Sequence, residues 1–210
     1  MQNINIDVIN NIFNKRESKP IQPMKKAAVM ILLEVIMDEI YIIFQVRAKK
    51  LKHQPGDICL PGGKVEPGEN FKEAAIRETI EEMNIKRNEF EVIGEMDYFI
   101  SPYKMIMRPY VAKLYTSEIN YNQNEVDHIF KVPLKFFMDT EPLLYKMDIG
   151  PINQEEFPFH LINGGKDYKF SKSVLEEYFY QWNDYVIWGF TAHIIKSFID
   201  IIKDEIFPYK

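Results

Sequence analysis

The stretch GKVEPGENFKEAAIRETIEEMNI, residues 63–85, runs from a glycine-rich turn into a helix with charge and apolar bulk on different sides. Asn70 stands where an N-cap belongs, Glu73 follows three residues on to close a capping box, and Asn84 suits the left-handed residue that ends the helix. At about 100° per residue, Glu78, Glu81 and Glu82 fall within an arc of about 100°, with Ile76, Thr79, Ile80 and Met83 in a similar arc nearly opposite. One face is expected to pack on a sheet, and the other to present clustered carboxylates on one open side. Like charges three and four apart repel along a helix. A solvated acidic face would explain the cluster. So would a site for a hard divalent cation, which takes oxygen ligands and relieves that repulsion. The flanking LPGGKVEPGE favours the cation, since small, bendable residues can bring backbone carbonyls to the helix start. Glu69 and Arg77 are spaced to pair and brace this loop against the helix.

Composition sets the bounds around this segment. The 210 residues are 46% hydrophobic, enough for one sizeable core, and the expected organisation is a helical extension over 1–22 and a single domain over 23–210. A formal net charge of -5 offers no electrostatic footprint for nucleic acid. No apolar run reaches spanning length, and residues 1–20 lack a signal-peptide pattern, so neither membrane insertion nor secretion is expected. The lone Cys59 excludes an internal disulfide framework, fits a reducing, cytoplasmic compartment, and reads as a packing residue between Ile58 and Leu60.

Along the chain, residues 4–15 carry a weak helical pattern that Pro20 and Pro23 end. The runs 27–37 and 39–46 read as a hairpin around Asp38, and GDICLPGG as a short strand entering the glycine turn. Strands are expected over 90–100 and 105–115, joined at Ser101-Pro102. Residues 126–138 suggest a strand feeding a short helix near Pro133. FPFHLINGGKDYKF is expected to form a second hairpin turning at Asn163-Gly164-Gly165. A final helix is expected over roughly 184–204. The fold class is mixed α/β.

Residues 63–85 closely resemble the Nudix box, G-x5-E-x7-R-E-U-x-E-E-x-G-U with U apolar, through Gly63, Glu69, Arg77, Glu78, Glu81, Glu82 and Ile85. Thr79 stands where an aliphatic residue is commoner and Asn84 replaces the last glycine, while every charged position is kept. The resemblance implies a Nudix hydrolase: an α/β/α sandwich around a mixed sheet, here with an extra C-terminal helix, that cleaves a diphosphate linked to another moiety. It implies Mg²⁺ or Mn²⁺ held by Glu78, Glu81 and Glu82 with help from the Gly62 carbonyl. It also implies a general base that often lies outside the box, for which Glu125 in NQNEVD is the candidate.

A second stretch bears on the substrate. IIFQVRAKKLKHQPGDICLPGG resembles the motif of the coenzyme A pyrophosphatase branch, L-L-T-x-R-S-x3-R-x3-G-x3-F-P-G-G, at Arg47, Gly56, Pro61, Gly62 and Gly63. It departs at Gln45, Ala48, Lys52 and Leu60. Coenzyme A adds a 3′-phosphate to its diphosphate, and Arg47, Lys49, Lys50, Lys52 and His53 supply a cationic cluster for it in an acidic chain. Arg47, Lys52 and His53 are the expected substrate contacts. The products would be adenosine 3′,5′-bisphosphate and 4′-phosphopantetheine. ADP-ribose or a dinucleotide is the alternative substrate, and a non-catalytic nucleotide-binding module the alternative class. Residues 1–22 and 140–172 carry no functional pattern, and their lengths suit lid elements or the contacts of a homodimer.

Overall fold

The computed structural model describes residues 4–150 and 154–208. Helix α1 (Ile6–Phe13) begins at Asn5, whose side chain accepts from the Val8 amide, and none of its residues is buried. Strands β1 (Lys25–Ile36) and β2 (Glu39–Arg47) form the expected hairpin. Its two-residue turn, Met37-Asp38, has positive φ at both positions, the handedness that matches strand twist. The short strands β3 (Ile58–Cys59) and β4 (Gly62–Lys64) lead into α2 (Phe71–Met83). Then come β5 (Phe90–Glu95), β6 (Phe99–Ser101), β7 (Met105–Leu114), β8 (Val126–Pro133) and α3 (Leu134–Asp139). The chain closes with β9 (Leu143–Ile149), β10 (Ser173–Trp182), β11 (Tyr185–Trp188) and α4 (Gly189–Ile206).

Among the described residues, eight strands form one sheet along the path β3-β2-β1-β7-β5, with β4 on β1, β6 on β7 and β8 on β2. The β1–β7 pairing is parallel and the others antiparallel, so the sheet is mixed. Residues 27 to 32 of β1 are all buried, because both faces of this strand are covered. Ala28, Met30 and Leu32 pack with Ala74, Ala75 and Met83 of α2. Val29 and Ile31 belong to the opposite layer, with Phe137 of α3 and Ala192, Ile195 and Phe198 of α4. Helices therefore lie on both faces of the sheet, an α/β/α sandwich. A second sheet, β11-β10-β9, buries Tyr180 and Ile187 in the α4 layer.

Three expectations are corrected. The strand over 90–100 is interrupted: its pairing with β7 slips at Gly94, and the Met96 amide turns back to the Pro109 carbonyl before β6 starts. FPFHLINGGKDYKF is not a hairpin but a chain of tight turns at Phe159–Leu161 and Gly165–Asp167, around an aromatic cluster of Phe157, Phe159, Tyr168 and Phe170. The segments flanking it, β9 and β10, pair with each other instead. The final helix starts at Gly189, because Tyr185–Trp188 turn back at Asn183-Asp184 and pair with β10. Ile187, expected on that helix, is a buried strand residue.

Candidate active site

Helix α2 is fixed at both ends as its sequence requires. Asn70 Oδ1 accepts from the Glu73 amide at 3.0 Å and Glu73 Oε2 accepts from the Asn70 amide at 2.9 Å, which closes the capping box. Asn84 ends the helix at φ 50, ψ 44. Thr79 is buried where a polar group needs a partner, and its hydroxyl donates to the Ala75 carbonyl at 2.7 Å. Arg77 reaches both oxygens of Glu69, at 2.9 and 3.2 Å, and the Lys64 carbonyl at 3.0 Å, while Glu69 also accepts from the Glu66 amide. The guanidinium holds the Glu69 carboxyl below its ordinary range.

The three box glutamates do not share one open side. Glu81 is exposed, Glu78 half-buried and Glu82 only 3% exposed. Burial is possible for Glu82 because donors from outside the helix meet it. The Gly62 amide and Gln45 Nε2 lie 2.8 and 2.9 Å from its Oε2. Even so, burial pushes its pKa up to about 7, and the carboxylates of Glu78 and Glu125 push in the same direction. Burial also raises Glu78, with Glu81 and Glu125 adding to it against the opposing pull of Arg77. Arg77 Nη1 lies 3.0 Å from Glu78 and 3.1 Å from Glu81.

Gly62 and Gly63 are where the turn meets this helix. A Cβ on Gly62 would fall 2.6 Å from the Val29 Cα and against the Ala28 carbonyl, at a φ of +152. A Cβ on Gly63 would occupy the space of the Glu78 carboxyl group. Only glycine lets the turn come this close to both β1 and α2.

Glu125 is brought to the same place by backbone bonds. The Asn122 amide donates to the Glu82 carbonyl, and the Ala48 amide to the Glu125 carbonyl, each at 2.8 Å, so the 122–125 turn ties the end of α2 to the end of β2. The influence of Glu125 on both Glu78 and Glu82 follows from that placement.

The predicted cationic cluster is dispersed. Arg47 lines a cavity of about 350 Å³ between β3, β11 and α4, with Asp57, Cys59, Leu60, Tyr103, Trp188 and Phe190 among its walls. Lys52 and His53 sit on the exposed loop beyond, and His53 contributes its carbonyl, 3.4 Å from Arg47 Nε. Lys50 turns toward the 122–125 segment, 2.7 Å from Asn124 Oδ1. Cys59 is half-buried, and desolvation of its thiol pushes the pKa up to about 11.

The donor set is of hard oxygens, the type that suits Mg²⁺ or Mn²⁺. Among the described residues no three His, Cys, Asp or Glu side chains converge to hold a metal ion; Arg77 takes Glu78 and Glu81 instead. Glu82 is the box carboxylate held by neutral donors alone, which leaves its charge uncompensated. No helix among the described residues is long and apolar enough to cross a membrane.

Two groups here escaped the sequence reading. Gln45, a departure from the coenzyme A pyrophosphatase motif, is wholly buried against Glu82. Trp188 is a cavity wall and stays 45% exposed. The signal for Gln45 was present: an amide inside the apolar run Ile42 to Val46 has to meet a polar partner.

Residues 24–141 match the NUDIX domain. The chain is 32% identical over 118 residues to the peroxisomal coenzyme A diphosphatase NUDT7 of Mus musculus, a span covering 55% of this chain and 50% of that protein. It is 32% identical over 133 residues to the peroxisomal coenzyme A diphosphatase ndx-8 of Caenorhabditis elegans, covering 60% and 57% respectively. The chain thus spans about half the length of these curated relatives. A solved structure of a C. elegans Ap4A hydrolase binary complex aligns with a TM-score of 0.46 at 23% identity, over 53% of this chain and 82% of that one. The matched span runs from β1 through α3, takes in the glycine turn and all of α2, and exceeds half of the residues; the chain belongs to the NUDIX domain family.

Proposed function

We propose that the protein hydrolyses the diphosphate bond of coenzyme A or one of its derivatives with the help of Mg²⁺ or Mn²⁺, releasing adenosine 3′,5′-bisphosphate and a 4′-phosphopantetheine. The observation that carries this reading is the buried Glu82 carboxylate at the Gly62-Gly63 turn, met by neutral donors alone and pressed by the charges of Glu78 and Glu125, which favours a divalent counter-charge. The coenzyme A assignment draws on the similarity to the two coenzyme A diphosphatases named above.

Glu82, Glu78 and Glu81, with the Gly62 carbonyl, are the groups that would hold the cation, Glu78 and Glu81 exchanging their contact with Arg77 for it. A cation bound there neutralises the diphosphate and acidifies the attacking water. The remaining work falls to this chain's own side chains. Arg77, tied to Glu69, keeps the loop against α2. Glu125 takes the proton of the water as its oxygen bonds to phosphorus and the bridging oxygen departs on the other phosphate. Arg47 stands at the cavity beside Cys59 and Leu60, two residues before the turn, and pairs with a phosphate of the substrate. Lys52 and His53, on the exposed loop, extend that contact. Tyr103, Trp188 and Phe190 offer ring faces to the uncharged part of the ligand.

The test is incubation with Mg²⁺ or Mn²⁺ and, in parallel, coenzyme A, ADP-ribose and a dinucleotide, with products identified by mass. Coenzyme A should be cleaved fastest, chelation should abolish turnover, and Glu81→Gln and Glu82→Gln should each lower kcat by about 100-fold or more at an unchanged melting temperature. Preferential cleavage of ADP-ribose would move the assignment to another substrate of the family. No turnover of any of the three would point to a binding module.

A further inference from the structure

We propose that Gln45 is a positioning residue for Glu82, fixing which carboxylate oxygen faces a divalent cation; this rests on the metal-dependent reading above. Gln45 projects from β2 and is 0% exposed. Its Nε2 lies 2.9 Å from Glu82 Oε2 and 3.4 Å from Cys59 Sγ, while its Oε1 is buried without a partner. A valine or leucine would fill this strand position without stranding a buried acceptor, so packing alone does not account for an amide.

The geometry supplies an account. The Gly62 amide, 2.8 Å away, donates to the same oxygen, Oε2. One donor leaves a carboxylate free to pivot about that contact. Two donors arriving on one oxygen from β2 and from the turn set the plane of the group, and so set where Oε1 points. The glutamate also sets the amide: the reversed orientation would press Gln45 Oε1 against an anionic oxygen. Gln45 therefore acts through Glu82 and touches neither substrate nor cation. Because its strand partner is Cys59, whose neighbours line the Arg47 cavity, the same amide joins the floor of that cavity to the helix.

The test uses Mn²⁺ alone, with no substrate, titrated into the 210-residue chain while free Mn²⁺ is read by electron paramagnetic resonance. Gln45→Met keeps the volume and removes the donor. It should weaken Mn²⁺ binding roughly 10-fold or more with little change in melting temperature. In a Glu82→Gln background the same substitution should add almost nothing, since the two groups act as one. Unchanged Mn²⁺ affinity in Gln45→Met would overturn the inference, as would full additivity with Glu82→Gln. Should Gln45→Met not fold, Gln45→Leu removes the same donor and is read in the same way. Failure of the wild-type protein to bind Mn²⁺ would overturn both the proposed function and this inference. Normal wild-type binding with an indifferent Gln45→Met would overturn the inference alone.

Discussion

The turn and helix from Gly62 to Asn84 and the small sheet β9–β11 use their side chains in opposite ways. In the first, the box residues are engaged with one another or with the sheet: Asn70 with Glu73, Arg77 with Glu69, Glu78 and Glu81, and Glu82 with Gln45 and the Gly62 amide. In the second, every residue of β9 is exposed. Leu143, Tyr145 and Met147 lie on the face directed away from α4, as the pairing of Leu143 with Phe179 and of Phe179 with Trp188 requires, and of that face Glu177 and Trp188 reach on to the Arg47 cavity while β9 does not line it. A region whose groups are mutually engaged passes a change from one group to the next. A region whose groups face outward absorbs it. Substitutions in the two regions measure that difference.

The largest effect is expected at two adjacent glycines that fail for different reasons. Gly62→Ala drives a methyl group into the backbone of β1, at a φ that side chains rarely adopt, and backbone cannot step aside. A loss of about 3 kcal/mol is expected, lowering the melting temperature by about 10 °C. Gly63→Ala meets only the end of the Glu78 side chain, which can swing away. That variant should keep its melting temperature within a few degrees and lose catalytic activity. Equal destabilisation of the two would mean that the turn is one rigid unit and that the distinction between backbone and side-chain contact carries no weight here.

Asn70→Ala sits in the same region but outside the carboxylate cluster. It removes an N-cap worth about 1 kcal/mol, so a fall of about 3 °C is expected with kcat unchanged. A matching fall in kcat would show that the orientation of α2, and not only its residues, controls the site.

The same contrast explains what the sequence made legible. Local signals carried the caps at Asn70 and Asn84, the Glu69–Arg77 pair and the β1–β2 turn, because each is settled within a few residues of chain. The burial of Glu82 was not legible. Helical projection knows only the helix, and the donors that allow the burial come from β2, 37 residues earlier, and from the Gly62 amide. The cationic stretch 47–53 failed similarly: adjacency in sequence suggested one cluster, yet Arg47 turns to the cavity and Lys50 to Asn124. The glycines at 164 and 165 do adopt positive φ, but strand pairing needs partners on both sides, and those lie in β9 and β10, outside the expected hairpin.

The smallest effect is expected on the outward face of β9, and it tests the comparison from its weak side. Met147 stands opposite Leu175 in the ladder, is 49% exposed, and belongs to an edge strand. Met147→Lys gives up little buried area and adds a charge of the kind that edge strands tolerate, so the stability change should stay within about 0.5 kcal/mol and the melting temperature within about 2 °C. Catalytic activity should not change, because Met147 is not among the residues that line the Arg47 cavity. A fall well beyond 2 °C would mean that the face is covered in solution, and sedimentation of wild type and variant would show whether the cover is a second copy of the chain. A change in KM at constant stability would tie β9 to the substrate instead. Either result would remove the division between an engaged catalytic face and an indifferent outer strand, and a null result in both measurements would sharpen it.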